Sequence, residues 1–355
     1  MTIRIALDAM GGDKAPSAPI EGAVLALGEH PECAFTLVGQ VEVIHAELAR
    51  IGADSGRFLI HPASEVVGMA EKPSVALRTK KDSSIRVGAN LVKSGEVDAF
   101  VSSGNTGALM ATARYVLKTL PGVDRPAIMA VMPSITGQTL MLDVGANVDC
   151  TADHLCQFAL MGRVYASAVM GLKNPKIGLL NIGEEEIKGN EVVKVAGERL
   201  KSEGGKGFIG NVEASEIFTG GVDVVVCDGF VGNVLLKTTE GMARMLTHFL
   251  KEAFSASIWT KLGYLAARPP MNVFRSRVDP RKYNGAILLG LNGIVVKSHG
   301  SADAFAFSRA IGVAVDLAAN RVNEKIRRDI AAHAATAGVT NACDTGNGGE
   351  QACPG

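Results

Sequence analysis

The sequence predicts an α/β protein, a largely parallel sheet with helices packed on both faces. Two observations carry this. Short β-branched apolar runs alternate with Gly-containing turns and helical stretches, the pattern of strands joined by crossover helices. Hydrophobic residues make up 47% of the chain but aromatic ones only 5%, so Ala, Val, Leu and Ile must fill the core, as suits strands buried on both faces. With 355 residues the chain can form one large unit or two modest ones.

The elements follow in order. Residues 3–9 read as the first strand, 34–39 as the second and 57–61 as the third. Residues 98–102 form a fourth, followed by a helix over about 107–120. Residues 128–132 and 139–144 read as an antiparallel pair. Next come a strand over 176–182, a helix over about 189–203, strands over 207–212 and 222–228, and a long helix from about Asn233. Strands over 286–290 and 293–297 precede a final helix over about 302–330. A single domain is expected over 1–334, with a helical excursion over about 241–282. Residues 335–355, rich in Ala, Gly, Thr and Asn, read as a solvated tail.

Several function classes are excluded or disfavoured. Lys and Arg total 36, and so do Asp and Glu, so charge gives no case for nucleic acid. The six cysteines lack metal-ligand spacing, no His or carboxylate pairing asks for a metal, and the thiols read as those of a reducing cytosol. No P-loop, zinc-protease helix or nucleophile elbow occurs. Gly205, Gly207 and Gly210 match G-x-G-x-x-G, but they lie between a helix and a strand, the reverse of a dinucleotide site. No uncharged apolar run spans a membrane.

Ligands in open parallel sheets bind beyond the carboxyl ends of the strands. Six strand ends carry small polar residues: 8–13, 102–107, 143–147, 181–190, 228–233 and 297–301. All six are expected along one crevice. Gly permits close backbone approach there, and Asn and Asp tolerate the turns while presenting hydrogen-bonding groups. Ser103-Gly104-Asn105-Thr106 and Ser298-His299-Gly300-Ser301 also read as helix openings, where free N–H groups suit a phosphate.

Taken together, D-A-M-G-G-D, S-S-G-N-T-G-A, D-V-G-A-N, N-I-G-E-E with K-G, D-G-F-V-G-N and L-x-G-x-N-G-I-V-V-K-S-H-G resemble the bacterial phosphate acyltransferases of phospholipid synthesis, in family order and spacing from Ile3 to about Arg328. The resemblance implies a three-layer, Rossmann-like fold similar to phosphotransacetylase and isopropylmalate dehydrogenase. It implies a homodimer that moves a fatty acyl group from acyl carrier protein to inorganic phosphate, without a cofactor, for a membrane glycerol-3-phosphate acyltransferase downstream. An acyl-CoA donor is the alternative. The family usually reads Y-G-G-A-P-L-L-G where this chain has Tyr283-Asn-Gly-Ala-Ile-Leu-Leu-Gly290, so Asn284 and Ile287 are expected to reshape a loop near the acyl site.

Phosphate is ionised at neutral pH and can attack a thioester directly, so the protein must position it and stabilise the oxyanion. Lys188 and Lys297 are candidates for charge compensation, and Asn105, Asn147, Asn181 and Asn233 for hydrogen-bond donors. His299 could protonate the leaving thiolate or be a helix-cap neighbour without chemistry. Lys188, Asn233 and His299 form the expected catalytic set. Ser103, Gly104, Asn105, Thr106, Asp143, Asn147, Asn181, Asp228, Lys297 and Ser298 are expected around the substrates. The aspartates Asp8, Asp13, Asp143 and Asp228 fit loop organisation better than acid–base work. Within the excursion, Phe254, Ile258, Trp259 and Leu262 belong to an apolar stripe flanked by Arg244, Lys251, Lys261 and Arg268. That stripe suits a dimer or core contact, or a helix lying on a membrane from the cytoplasmic side.

Overall fold

The computed structural model describes residues 2–202 and 206–332. The expected tail and Gly205 lie outside them. The strands are β1 (Arg4–Asp8), β2 (Ala34–Gly39), β3 (Phe58–Pro62), β4 (Ala99–Ser102), β5 (Ala127–Pro133), β6 (Gln138–Leu142), β7 (Ile177–Leu180), β8 (Phe208–Val212), β9 (Val224–Val226), β10 (Ala286–Leu289) and β11 (Ile294–Lys297). All belong to one 11-stranded sheet of order β3-β2-β1-β4-β11-β10-β5-β6-β9-β7-β8.

The helices are α1 (Ser17–Glu29), α2 (Val41–Arg50), α3 (Pro73–Thr79), α4 (Ser84–Ser94), α5 (Thr106–Leu117), α6 (Ala152–Ala168), α7 (Glu191–Ser202), α8 (Gly229–Ser255), α9 (Ile258–Ala266), α10 (Arg268–Val278) and α11 (Ala304–Ala319). Alternation along β1 shows how they layer. Ile5 and Leu7 point into a core shared with Ile20 of α1, Phe158 of α6 and Phe307 of α11. Ala6, between them, points into a second core with Ile85 of α4 and Leu109 of α5. The period of two along strands thus builds three layers.

Strand direction corrects one expectation. β3, β2, β1, β4 and β11 run parallel, and so do β6, β9, β7 and β8. Between them β10 is antiparallel to both β11 and β5, and β5 is antiparallel to β6. The two parallel halves therefore run in opposite directions. The six polar strand ends do not share one edge. They split into β1-β4-β11 on one edge and β6-β9-β7 on the other, three adjacent strands in each case.

Helix boundaries also differ from expectation: α5 ends at Leu117 where about 120 was expected, and α8 begins at Gly229 where Asn233 was expected. The final helix breaks at Arg321, whose φ is +49°, and helix resumes over 322–332. It opens at Asp303, whose side chain accepts from Ala306 N at 2.9 Å, so Ser298–Ser301 precedes the helix instead of capping it. Pro269 and Pro270, which follow the apolar stripe, do not stop the helical structure there. They sit in the first turn of α10, where proline's missing N–H costs nothing.

The excursion itself is α9, α10 and the distal part of α8. No residue of α9 or α10 is buried, and α8 buries only Gly229 and Gly232. Ile258, Trp259 and Leu262 are exposed, Trp259 by 77%. Phe254 packs its ring on Tyr264 at 5.2 Å. Among the described residues no helix is long and apolar enough to cross a membrane.

Candidate functional site

The first set of loops is interlocked. After β1, the Asp8 carboxylate accepts from the Ser102 hydroxyl at 2.6 Å and from Met10 N at 3.1 Å. Ser103 Oγ donates to Gly11 O at 2.7 Å, Asp13 N to Gly300 O at 2.8 Å and Ser298 N to Ser102 O at 2.9 Å. Gly12 has φ +97°, and a Cβ there would lie 2.7 Å from Ser103 Oγ, so the close approach requires glycine. Lys297 is 7% exposed, and its ammonium donates to the carbonyls of Ser103, at 3.3 Å, and of Ser298. Burial lowers its pKa to about 8, against the pull of Asp8 and Asp13. Burial likewise raises Asp8, while its hydrogen bond from Ser102 opposes this.

Asn105 is wholly engaged in structure. Its Oδ1 accepts from Ala108 N at 3.0 Å to cap α5, and its Nδ2 donates to the carbonyls of Gly68, Met69 and Glu71. Directly after it, the exposed Thr106 opens the helix, whose first amides suit an anion. On the β11 side, Asn284 holds the loop. Its Nδ2 donates to Ser298 Oγ at 2.8 Å and to Ala306 O at 2.6 Å, and its Oδ1 accepts from His299 N at 2.9 Å. His299 Nδ1 accepts from Ser301 N at 3.2 Å, which leaves the proton of the neutral ring on Nε2. Burial favours that neutral form by lowering the His299 pKa.

The second set is built around Asp143. Its two oxygens accept from the amides of Ile128, Gly145, Ala146 and Asn147 and from Asn147 Nδ2, at 2.7 to 3.2 Å. The residue is fully buried, so its carboxylate shapes the loop and is not offered to a ligand. Burial raises its pKa, and the amide donors lower it. Asn147 Nδ2 also donates to Pro126 O at 2.8 Å. Asp228 caps α8 by accepting from Val231 N at 2.8 Å. A Cβ at Gly232 would lie 1.9 Å from Asp143 O, so only glycine lets α8 start against this loop. After β7, Asn181 donates to Lys188 O at 3.1 Å and accepts from Ile182 N at 2.9 Å.

Four of the expected polar contacts are thus taken up by the loops: Asn105, Asn147, Asn181 and Asp228 organise backbone, as Asp143 does. Asn233 and Lys188 differ. Both are exposed, and among the described residues no hydrogen bond or ion pair engages the Asn233 amide or the Lys188 ammonium. Asn233 lies in the second turn of α8, which follows β9, and Lys188 in the loop after β7; the two strands are neighbours in the sheet. His299 lies on the other set. The link is α8, which Asp228 caps and which carries Lys237 and Glu240 close enough to perturb the charge of His299. Lys237 and Glu240 are neighbours of His299 to which sequence reasoning assigned no such place, whereas Asn284 was expected to reshape a loop and holds that of Ser298 and His299. The departure from the usual Gly at 284 was the one available signal. Among the described residues no His, Cys, Asp and Glu group could hold a metal ion.

Two strand-end loop sets on a mixed sheet covered by helices on both faces define the chain as an α/β protein of phosphotransacetylase-like architecture. A phosphotransacetylase from Streptococcus pyogenes superposes with a TM-score of 0.59 over 90% of this chain and 94% of that one, at 18% identity. A branched-chain phosphotransacylase from Enterococcus faecalis V583 gives 0.55 over 89% and 99%, at 13% identity. At such identities the likeness is one of fold. Sequence carries the family. The model described as "Fatty acid synthesis protein" matches residues 3–325. A phosphate acyltransferase of Magnetococcus marinus is 62% identical over 93% of this chain and 96% of its own. One of Alkalilimnicola ehrlichii is 58% identical over 88% and 92%. The chain belongs to the phosphate acyltransferase family, and it is an acyltransferase acting on phosphate.

Proposed function

We propose that the acyl donor is a fatty acyl thioester of acyl carrier protein, and that the product acyl phosphate serves phospholipid synthesis through a membrane glycerol-3-phosphate acyltransferase. A phosphate oxygen attacks the thioester carbonyl, the C–O bond forms, and the C–S bond breaks with its electron pair left on sulfur. Asn233 donates to the carbonyl oxygen as negative charge develops there. Lys188 offsets the charge of phosphate. His299 directs its Nε2–H at the sulfur as a hydrogen-bond donor while negative charge gathers there, the thiolate taking its proton from water, with α8 bringing the two loop sets together. The observation that carries this reading is that Asn233 and Lys188, both exposed and with side chains unengaged among the described residues, follow the neighbouring parallel strands β9 and β7. A second copy of the chain pairs along α8, and the α9 face rests on lipid, where a greasy product is consumed.

The test is a product assay. Labelled phosphate and palmitoyl-acyl carrier protein should yield acyl phosphate that hydroxylamine destroys, with no added metal or nucleotide. Dependence on NAD, or loss of turnover with chelator, overturns the mechanism.

A further inference from the structure

A cationic depression lies at the carboxyl end of α5, away from the loops described above. Ala111, Arg114, Tyr115, Lys118, Thr119 and Asp124 line it. Tyr115 is 54% exposed, yet two cations are stacked on its ring: the Arg86 guanidinium at 4.7 Å and the Lys118 ammonium at 5.0 Å from the centroid. Among the described residues neither Arg86, Arg114 nor Lys118 has a carboxylate partner within ion-pair distance. The one acid on the rim, Asp124, holds the Gln157 amide at 2.8 Å. On a chain of zero net charge, this is a local surplus of positive charge with an aromatic at its centre.

The negative end of the helix dipole favours Arg114 and Lys118 in this position. It does not account for Arg86, which belongs to α4, or for the conformation of Lys118. Lys118 has φ +61° and ψ 175°, a region that is essentially glycine's own. Its carbonyl is held by Asn292 N at 3.0 Å. Glycine would meet the backbone requirement without strain, so the lysine side chain has a use of its own.

Resting on the carrier-protein donor proposed above, we infer that this depression is where the acidic carrier protein docks. Its position suits delivery. Thr119 bridges to Leu291 at the end of β10, and Asp124 precedes β5. Pro126 accepts from Asn147, and Asn147 O accepts from Gly229 N at the start of α8. The path from the depression to Asn233 thus runs along one sheet edge. From β5 to β9 it crosses two strand spacings, about 10 Å, within reach of a flexible thioester arm. Unpaired cations around an exposed aromatic give electrostatic capture with a stacking anchor.

The experiment compares wild type with a Lys118→Gly, Arg114→Glu double variant, using palmitoyl-acyl carrier protein and a palmitoyl-pantetheine donor that lacks the protein. Lys118→Gly relaxes the backbone, and unchanged thermal unfolding controls for folding. The expected result is a rise of about tenfold or more in KM for the carrier-protein donor. That rise shrinks at high salt, with kcat and the pantetheine donor within about twofold of wild type. An unchanged KM for the carrier-protein donor overturns the docking surface alone. Wild type that uses palmitoyl-CoA but not the carrier-protein donor overturns the donor reading instead. If the double variant loses binding to anionic vesicles and keeps its KM, the depression is a lipid contact and the docking proposal falls.

Discussion

Four asparagines sit beside strand ends in this chain, and only their hydrogen bonds separate their roles. Asn105 ties four backbone groups together, whereas Asn233 ties none. Replacing them with alanine should therefore have opposite signatures. Asn233→Ala should lower kcat about 100- to 1,000-fold, the usual cost of one lost oxyanion donor, with stability within about 0.5 kcal/mol. Lys188→Ala should behave similarly, and near-wild-type kinetics for both would remove them from the site. Asn105→Ala should cost about 1–3 kcal/mol of stability through the lost cap and orphaned carbonyls. Sequence could nominate the asparagines but not sort them, because partner distances depend on loops far apart in the chain. Lys297 offers a pH signature. Its folded pKa is about 8 against 10.5 for the free group. Below pH 8 the buried charge opposes folding in full. Between pH 8 and 10.5 the unfolded chain binds the proton more tightly, so stability rises with pH. Denaturation curves across that window should show wild type gaining on Lys297→Met, and parallel pH profiles would contradict this.

At the scale of elements, every strand expected from apolar runs forms within two residues of its expected ends. Strands buried on both faces announce themselves as compact β-branched runs. Helix ends were less legible. The break at Arg321 needs a positive φ that no glycine signals, and Pro269-Pro270 is equally compatible with an ending and a beginning. The excursion keeps its expected apolar stripe but lacks a covering surface within the protomer. Ile258 and Trp259 are exposed by 66% and 77%, on α9 beside Lys261. Vesicle flotation should show salt-sensitive binding to anionic lipid that Ile258→Ser with Trp259→Ser abolishes without loss of activity on soluble substrates. Equal flotation of the two proteins, or of neither, would assign α9 to a protein contact.

For the whole molecule, the layer architecture followed from composition and alternation, while the direction of the second half did not. The antiparallel β5–β6 pair was legible in the sequence, but nothing in the apolar runs showed that β10 would lie beside β5, because an antiparallel pair inside a buried sheet has the same apolar runs as a parallel one. That is why six loops that looked like one crevice edge proved to be two triads. The seam also imposes a timetable on the chain. β10 and β11 lie between β4 and β5 in space, yet they occupy residues 286–297. Until those residues leave the ribosome, β3-β2-β1-β4 and β5-β6-β9-β7-β8 can only be two separate fragments, each with a bare hydrogen-bonding margin. Partners nearly two hundred positions apart, such as Val101 and Val296, must then meet last, the slow kind of closure. The nascent chain is held open along its middle, and the same late insertion that joins the halves also delivers Lys297, Ser298 and His299, so the loop set around Asp8 is completed only by the final stitch.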